Sequence, residues 1–176
     1  MTYVIGIYNT KELYAPKGGV NLAPRQHARK MRVGKVTYAE AYRAVSEYRL
    51  RYPEKAVTYY AQNYPAMAWA VAMAGGSCPQ IKGVSEELLQ AFARTVPMER
   101  KAGDVYEMVK SDTDIIIYSH SKSKFTIPVA AGKYMLKQVN VESGEELVID
   151  NRLRISGQCE VPAASQEECV YWLHRL

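Results

Sequence analysis

Catalysis needs a nucleophile with its base, a pair of carboxylates, or a cluster of metal-ligating groups. This chain offers such residues only singly. His27, His120 and His174 are far apart and lack any spacing that would join them to a partner. Cys78, Cys159 and Cys169 have no C-x-x-C spacing, so neither a zinc site nor a disulfide framework is indicated. Cys159 and Cys169 can pair if two strands place them opposite each other; free buried thiols fit the sequence equally. Gly75–Gly76 closes a helical pattern instead of opening one, so no phosphate-binding loop is present. No cofactor and no metal is expected.

One turn is better placed. Ala56–Tyr60 is an apolar, β-branched and aromatic run that predicts a buried strand. Ala61, Gln62 and Asn63 follow, and then Tyr64 and Pro65 open an apolar helix ending at Gly75–Gly76. In α/β proteins ligands bind where a strand's carboxyl end gives way to such a turn. Tyr60, Gln62, Asn63 and Tyr64 are therefore the candidate substrate-binding residues. They can hydrogen-bond and stack, but none of them is a carboxylate, histidine or cysteine. Catalytic residues stay unassigned.

The surrounding elements decide whether such a turn is presented. Tyr3–Tyr8 predicts a strand, and Asn9–Met31, with Pro16, Gly18, Gly19 and Pro24, predicts a long loop. Thr37-x-x-Glu40 has the spacing of a capping box. The helix after it lines up Tyr38, Ala41, Tyr42, Val45, Tyr48 and Tyr52 as one apolar stripe, which reads as core packing, and stops at Pro53. Ser77–Ile81 is a further short strand candidate. Ser85 caps a helix whose buried face is expected to be Leu88, Leu89, Phe92 and Ala93, and Pro97 ends it. Alternating strands and helices of this kind predict parallel strands with helical crossovers.

From Gly103 onward the pattern is strands alone: Val105–Val109, Asp114–Ser119, Phe125–Val129, Lys133–Val141, Glu146–Ile149, Leu153–Ser156 and Cys169–Leu173. Closely spaced strands without helices predict a small β-sandwich. Trp172 lies in the alternating run Val170–Leu173 and is expected in its core. Were Tyr118, His120, Tyr134 or Trp172 exposed, they would form a binding platform. The boundary falls near Pro97–Gly103, giving segments 1–97 and 98–176.

Composition fits a folded globular chain. Of 176 residues, 48% are apolar and 23% charged, which argues against disorder. The net charge is +5, and the densest basic run is Arg25–Lys35. No recognised nucleic-acid motif accompanies that run, so it is read as a solvated loop and nucleic acid is not the expected partner. No apolar run approaches the ~20 residues of a membrane span. The N-terminus has neither a charged n-region nor an apolar h-region, so no secretory signal is expected and the compartment stays open.

Several of these pieces together resemble the C-terminal part of glycoside-hydrolase-like proteins. In that family a (β/α)8 barrel is followed by a small accessory β-sandwich of collagen-binding type. The matching residues are Arg51–Val57 leading into Tyr59–Tyr60, Trp69–Ser77, the Leu88–Pro97 helix, Gly132-Lys133-Tyr134, and Asn140–Glu145. The last run is similar to an N-P-x-[ST]-G turn, with Val141 in place of the proline. The resemblance covers the chain from about residue 32 onward and implies an α/β partial (β/α)-barrel half followed by an antiparallel β-sandwich. A whole barrel needs about 200 residues or more, so the chain reads as the terminal portion of a carbohydrate-active protein whose relatives are exported. Glycosidases need two carboxylates, about 5 Å apart in retaining enzymes. Glu12 is the one acid near a predicted strand's carboxyl end, while Glu40, Glu47 and Glu54 belong to a helix or its exit. Catalysis by this chain alone is therefore not expected. Its implied partner is a polysaccharide or oligosaccharide, and either a missing N-terminal barrel portion or an oligomer would complete the fold. The alternative is a non-catalytic carbohydrate- or protein-binding module working through the sandwich.

Overall fold

The computed structural model describes residues 4–7, 37–60, 64–98, 105–110, 113–120, 123–163 and 168–176. Glu12, Arg25–Lys35, His27, Gln62 and Asn63 lie outside them. The chain divides into two compact units, Met1–Pro79 and Gln80–Leu176.

Among the described residues the first unit contains one parallel strand pair. Strand β1 (Val4–Ile7) runs beside β2 (Ala56–Tyr59), with Val4 opposite Ala56 and Ile7 opposite Tyr59. Helix α1 (Tyr38–Arg51) precedes β2, and its capping box is formed: Glu40 N–H donates to Thr37 Oγ1 at 3.3 Å, and Thr37 N–H donates to Glu40 Oε2 at 2.8 Å. The expected tyrosine stripe is buried only at its start. Tyr38, Ala41, Ala44 and Val45 are buried, while Tyr42, Tyr48 and Tyr52 are half-buried. Helix α2 (Pro65–Met73) is buried continuously from Ala68 to Met73, Trp69 included, and packs on α1 and β2. It ends where Gly76 N–H donates to Val71 O at 2.8 Å and Gly75 N–H to Ala72 O at 2.9 Å, the paired bonds that close a helix C-terminus. Ser77 N–H then returns to Val57 O at 2.7 Å, but residues 77–81 form no strand.

The second unit is antiparallel. Helix α3 (Glu86–Arg94) leads into β3 (Val96–Met98), β4 (Val105–Lys110), β5 (Asp114–Ser119), β6 (Phe125–Pro128), β7 (Gly132–Val139), β8 (Glu146–Ile155), β9 (Gln158–Val161) and β10 (Cys169–Arg175). Six strands form one sheet in the order β3-β4-β5-β10-β7-β8, and β6 pairs with β9 in a second. Ile115 and Ile117 (β5), Leu136 (β7), Tyr171 and Leu173 (β10), Ile127 (β6) and Val161 (β9) share one apolar cluster, so the two sheets pack face to face. The opposite, outer face of the large sheet carries α3. Ser85 caps α3 by accepting from Leu88 N–H at 3.2 Å, and its hydroxyl donates to Glu146 on β8. The buried face of α3 is Leu88, Ala91 and Phe92; Leu89 and Ala93 are exposed.

The turn before α3 meets the β7–β8 turn backbone to backbone. Gly83 has φ +73°, and a Cβ there would lie 1.9 Å from Ser143 O; Gly144 has φ +75°, and its Cβ would lie 2.2 Å from Lys82 O. Only glycine allows both the left-handed φ and this approach. Asn140 Oδ1 holds the facing turn by accepting from Glu142 and Ser143 N–H at 2.8 and 2.9 Å.

The expected α/β partial-barrel half is overturned. Among the described residues a single crossover, β1–α1–β2, is formed and no barrel closes; the other eight strands are antiparallel. The alternation that predicted repeated crossovers breaks down because residues 77–81 are not a strand and α3 lies on an antiparallel sheet.

Candidate functional site

The predicted turn starts where β2 ends. Tyr60 N–H donates to Ile7 O at 2.9 Å, which extends the β1–β2 ladder by one bond and places Tyr60 at the carboxyl end of both strands. Its side chain is 45% exposed, and that of Tyr64 is 59% exposed. Tyr64 is the N-cap of α2, and Met67 and Ala68 N–H donate to its carbonyl at 3.0 and 3.3 Å. The residue thus anchors the helix with its backbone and presents its ring. Two exposed aromatic side chains therefore stand in the chain on either side of residues 61–63. Two of the described acids in this unit have structural work: Glu40 completes the capping box, and Glu47 pairs with Arg43 at 3.2 Å on an exposed helix face.

In the second unit the aromatic platform is not formed. Tyr118, Tyr134 and Trp172 are buried, each with its polar tip bonded: Tyr118 O–H to Glu168 Oε2 at 2.8 Å, Tyr134 O–H to Ala130 O at 3.0 Å, and Trp172 Nε1–H to Asp114 Oδ1 at 3.0 Å. Trp172 packs on the outer face beneath Lys137, whose Nζ stands 4.5 Å above its ring. His120 is half-buried, edge-on to Tyr106 and Tyr118, with Nδ1 3.3 Å from Glu168 Oε1.

Sequence reasoning missed Asp114. It starts β5 on the outer face, its side chain is fully buried, and it gathers Trp172 Nε1, His174 Nδ1 at 2.9 Å and Arg94 Nη2 at 3.5 Å. Burial alone would raise its carboxyl; hydrogen bonds from His174 and Trp172 outweigh that and hold it below the usual carboxylate value. An ionised Asp114 only accepts, so His174 carries its proton on Nδ1. A carboxylate held in this way is an anchor, not a proton donor near neutrality. Glu146 is similar: burial raises it, but Ser85 and Lys137 lower it by more, with Lys137 Nζ at 2.9 Å. Cys159 and Cys169 are both buried free thiols, raised chiefly by burial, and Cys78 is exposed. Among the described residues, no group of three or more histidine, cysteine, aspartate or glutamate side chains could hold a metal ion. No described helix is long and apolar enough to cross a membrane.

The class these features define is a short parallel βαβ segment joined to an antiparallel two-sheet unit. A family described as a domain of unknown function, DUF6298, matches residues 5–96, more than half of the chain, and the chain belongs to that family. No curated protein matches it in sequence. Among solved structures, one described as a glycoside hydrolase is similar at a TM-score of 0.55 and 12% identity, covering 82% of this chain and 49% of that one. A glycoside hydrolase family 5 protein from Bacteroides vulgatus gives a TM-score of 0.49 at 14% identity, covering 82% and 48%. At these identities the first likeness is one of fold alone, and the second is too slight to build on. The chain spans about half the length of either structure.

Proposed function

We propose that this chain is part of a carbohydrate-active protein and contributes a glycan-contacting rim, Tyr60, Gln62, Asn63 and Tyr64, without the carboxylates that cleavage requires. The observation that carries this reading is the pair of exposed rings, Tyr60 and Tyr64, at the carboxyl end of the β1–β2 pair. The fold likeness to a glycoside hydrolase supports it. Aromatic faces stack on the apolar faces of sugars, and the amides of Gln62 and Asn63 pair with hydroxyls. In the same reading the family-bearing segment up to residue 97 makes the glycan contact, and 98–176 is an accessory part. Affinity electrophoresis in gels containing plant or host polysaccharides tests it. Retardation by at least one polymer, lost in Tyr60→Ala and Tyr64→Ala, is the expected result. No retardation by any polymer, or variants that migrate like the parent chain, would sink it.

The non-catalytic module working through the antiparallel unit is the second reading. Buried Tyr118, Tyr134 and Trp172 cannot serve it, so it rests on the charged outer face.

A further inference from the structure

Strand register assembles a row of basic side chains at one end of the outer sheet face. Tyr134 and Leu136 point into the apolar cluster, so Lys133 and Met135 point outward. Lys133 stands directly opposite Arg154 of β8. Met135 lies opposite His174, His174 opposite Asp114, and Asp114 opposite Lys110. Arg94 reaches Asp114 from α3. Lys110, Lys133, Arg94 and Arg154 are exposed and His174 is half-buried. Among the described residues Asp114 is the one acidic side chain that this register places in the row, and it is already bonded to Trp172, His174 and Arg94.

Like charges directly opposite each other weaken a strand pair. Lys133 and Arg154 form such a pair, and among the described residues no carboxylate pairs with either of them. A stability-driven surface would place an acid at one of these positions. Lys133 and Arg154 instead present two cations at directly paired positions, roughly 5 Å apart across the strands, with Lys110 and Arg94 beyond Asp114 at the same end of the face. A polymer carrying one carboxylate on every sugar ring offers anions at a comparable repeat.

We propose that this outer-face row binds an anionic polysaccharide of the polyuronate class. This rests on the carbohydrate reading and adds the charge of the glycan to it. The excess of cations in the row draws in such a polymer by long-range attraction, and salt weakens that attraction.

The test uses the full chain in affinity gels with polygalacturonate, a neutral polysaccharide such as xylan, and a DNA oligonucleotide as competitor. Retardation by polygalacturonate that weakens with salt, and falls about tenfold in Lys133→Glu and Arg154→Glu, supports the proposal. Each single reversal turns a repulsive cross-strand pair into an attractive one, so the thermal midpoint should hold or rise while binding falls. A folding defect cannot produce that combination. Retention by xylan alone, or polygalacturonate binding indifferent to both variants, overturns the row while the Tyr60–Tyr64 rim stands. Binding to no polysaccharide overturns both. Displacement of polygalacturonate by far less DNA overturns the glycan assignment in favour of nucleic acid.

Discussion

His174 Nδ1 lies 2.9 Å from Asp114 Oδ1, and the two residues face each other across β10 and β5. The same oxygen accepts from Trp172 Nε1–H, two residues earlier on β10. One buried carboxylate therefore grips the last strand at two points and takes Arg94 of α3 as a third partner.

Replacing Asp114 with alanine leaves the Trp172 N–H buried without an acceptor and frees His174 and Arg94. A loss of about 2–3 kcal/mol in urea unfolding at neutral pH is expected. Because the Asp114 carboxyl is held below its unfolded value, its contribution is fully present above the unfolded pKa and disappears as pH falls through the folded one. The stability difference between Asp114→Asn and the parent chain should therefore shrink on acidification. A difference that grows as the pH drops would contradict this role.

Ser85 and Glu146 should behave as one unit. Ser85→Ala removes the α3 cap, worth about 1 kcal/mol, and also removes a bond to Glu146. A double-mutant cycle with Glu146→Gln should give a coupling of about 0.5 kcal/mol or more. Strict additivity would mean that α3 is not tied to β8 through this pair.

Gly83→Ala and Gly144→Ala drive a methyl group into backbone on the facing turn, whereas Gly157→Ala, at φ +111°, meets no atom within 4 Å. Chemical denaturation should rank the first two well beyond the third, which carries only the backbone strain of about 1–2 kcal/mol. Equal losses at all three would show that the two turns do not touch in solution.

Thiol chemistry separates the three cysteines. Cys78 is exposed, while Cys159 and Cys169 are buried with raised thiol pKa values. Under native conditions one thiol per chain should react promptly with a disulfide reagent, and all three should react in denaturant. Rapid labelling of Cys159 without denaturant would place it outside the apolar cluster.

Local signals in the sequence carried much of this architecture. Thr37 and Glu40 announce the α1 cap, Pro65 opens α2, Ser85 caps α3, and the β-branched run Ile115–Ile117 marks β5. The sequence misled wherever a local signal had two readings. Pro97 reads as a helix stop, and α3 does end before it, at Arg94, but Pro97 itself belongs to β3 at the sheet edge, where a missing N–H does no harm. Asp150–Asn151 reads as a turn, but β8 runs through it with an irregular register against β7. Strand β9 has only Cys159 and Val161 as apolar residues, between Gln158 and Glu160, and does not stand out in the sequence. The buried state of Tyr118 and Trp172 depends on Glu168 and Asp114, whose positions 50 and 58 residues away leave no mark in a local pattern. The basic row is equally non-local, since only strand register brings Lys133 beside Arg154. Sequence and structure differ most over the parallel half, where one crossover was read as the start of several.

Strand β10 is the last element in the chain and lies between β5 and β7, inside the six-stranded sheet. During synthesis, β4–β5 and β7–β8 can each pair as a hairpin while the seam between them stays open. The edges of Asp114–Ser119 and Gly132–Val139 then wait with unpaired backbone groups until residues 169–175 emerge from the ribosome. Such an interval is the window for strand-pairing errors and chaperone capture. A chain cut before Cys169 never closes that window, and what remains is two sticky half-sheets rather than a shortened domain.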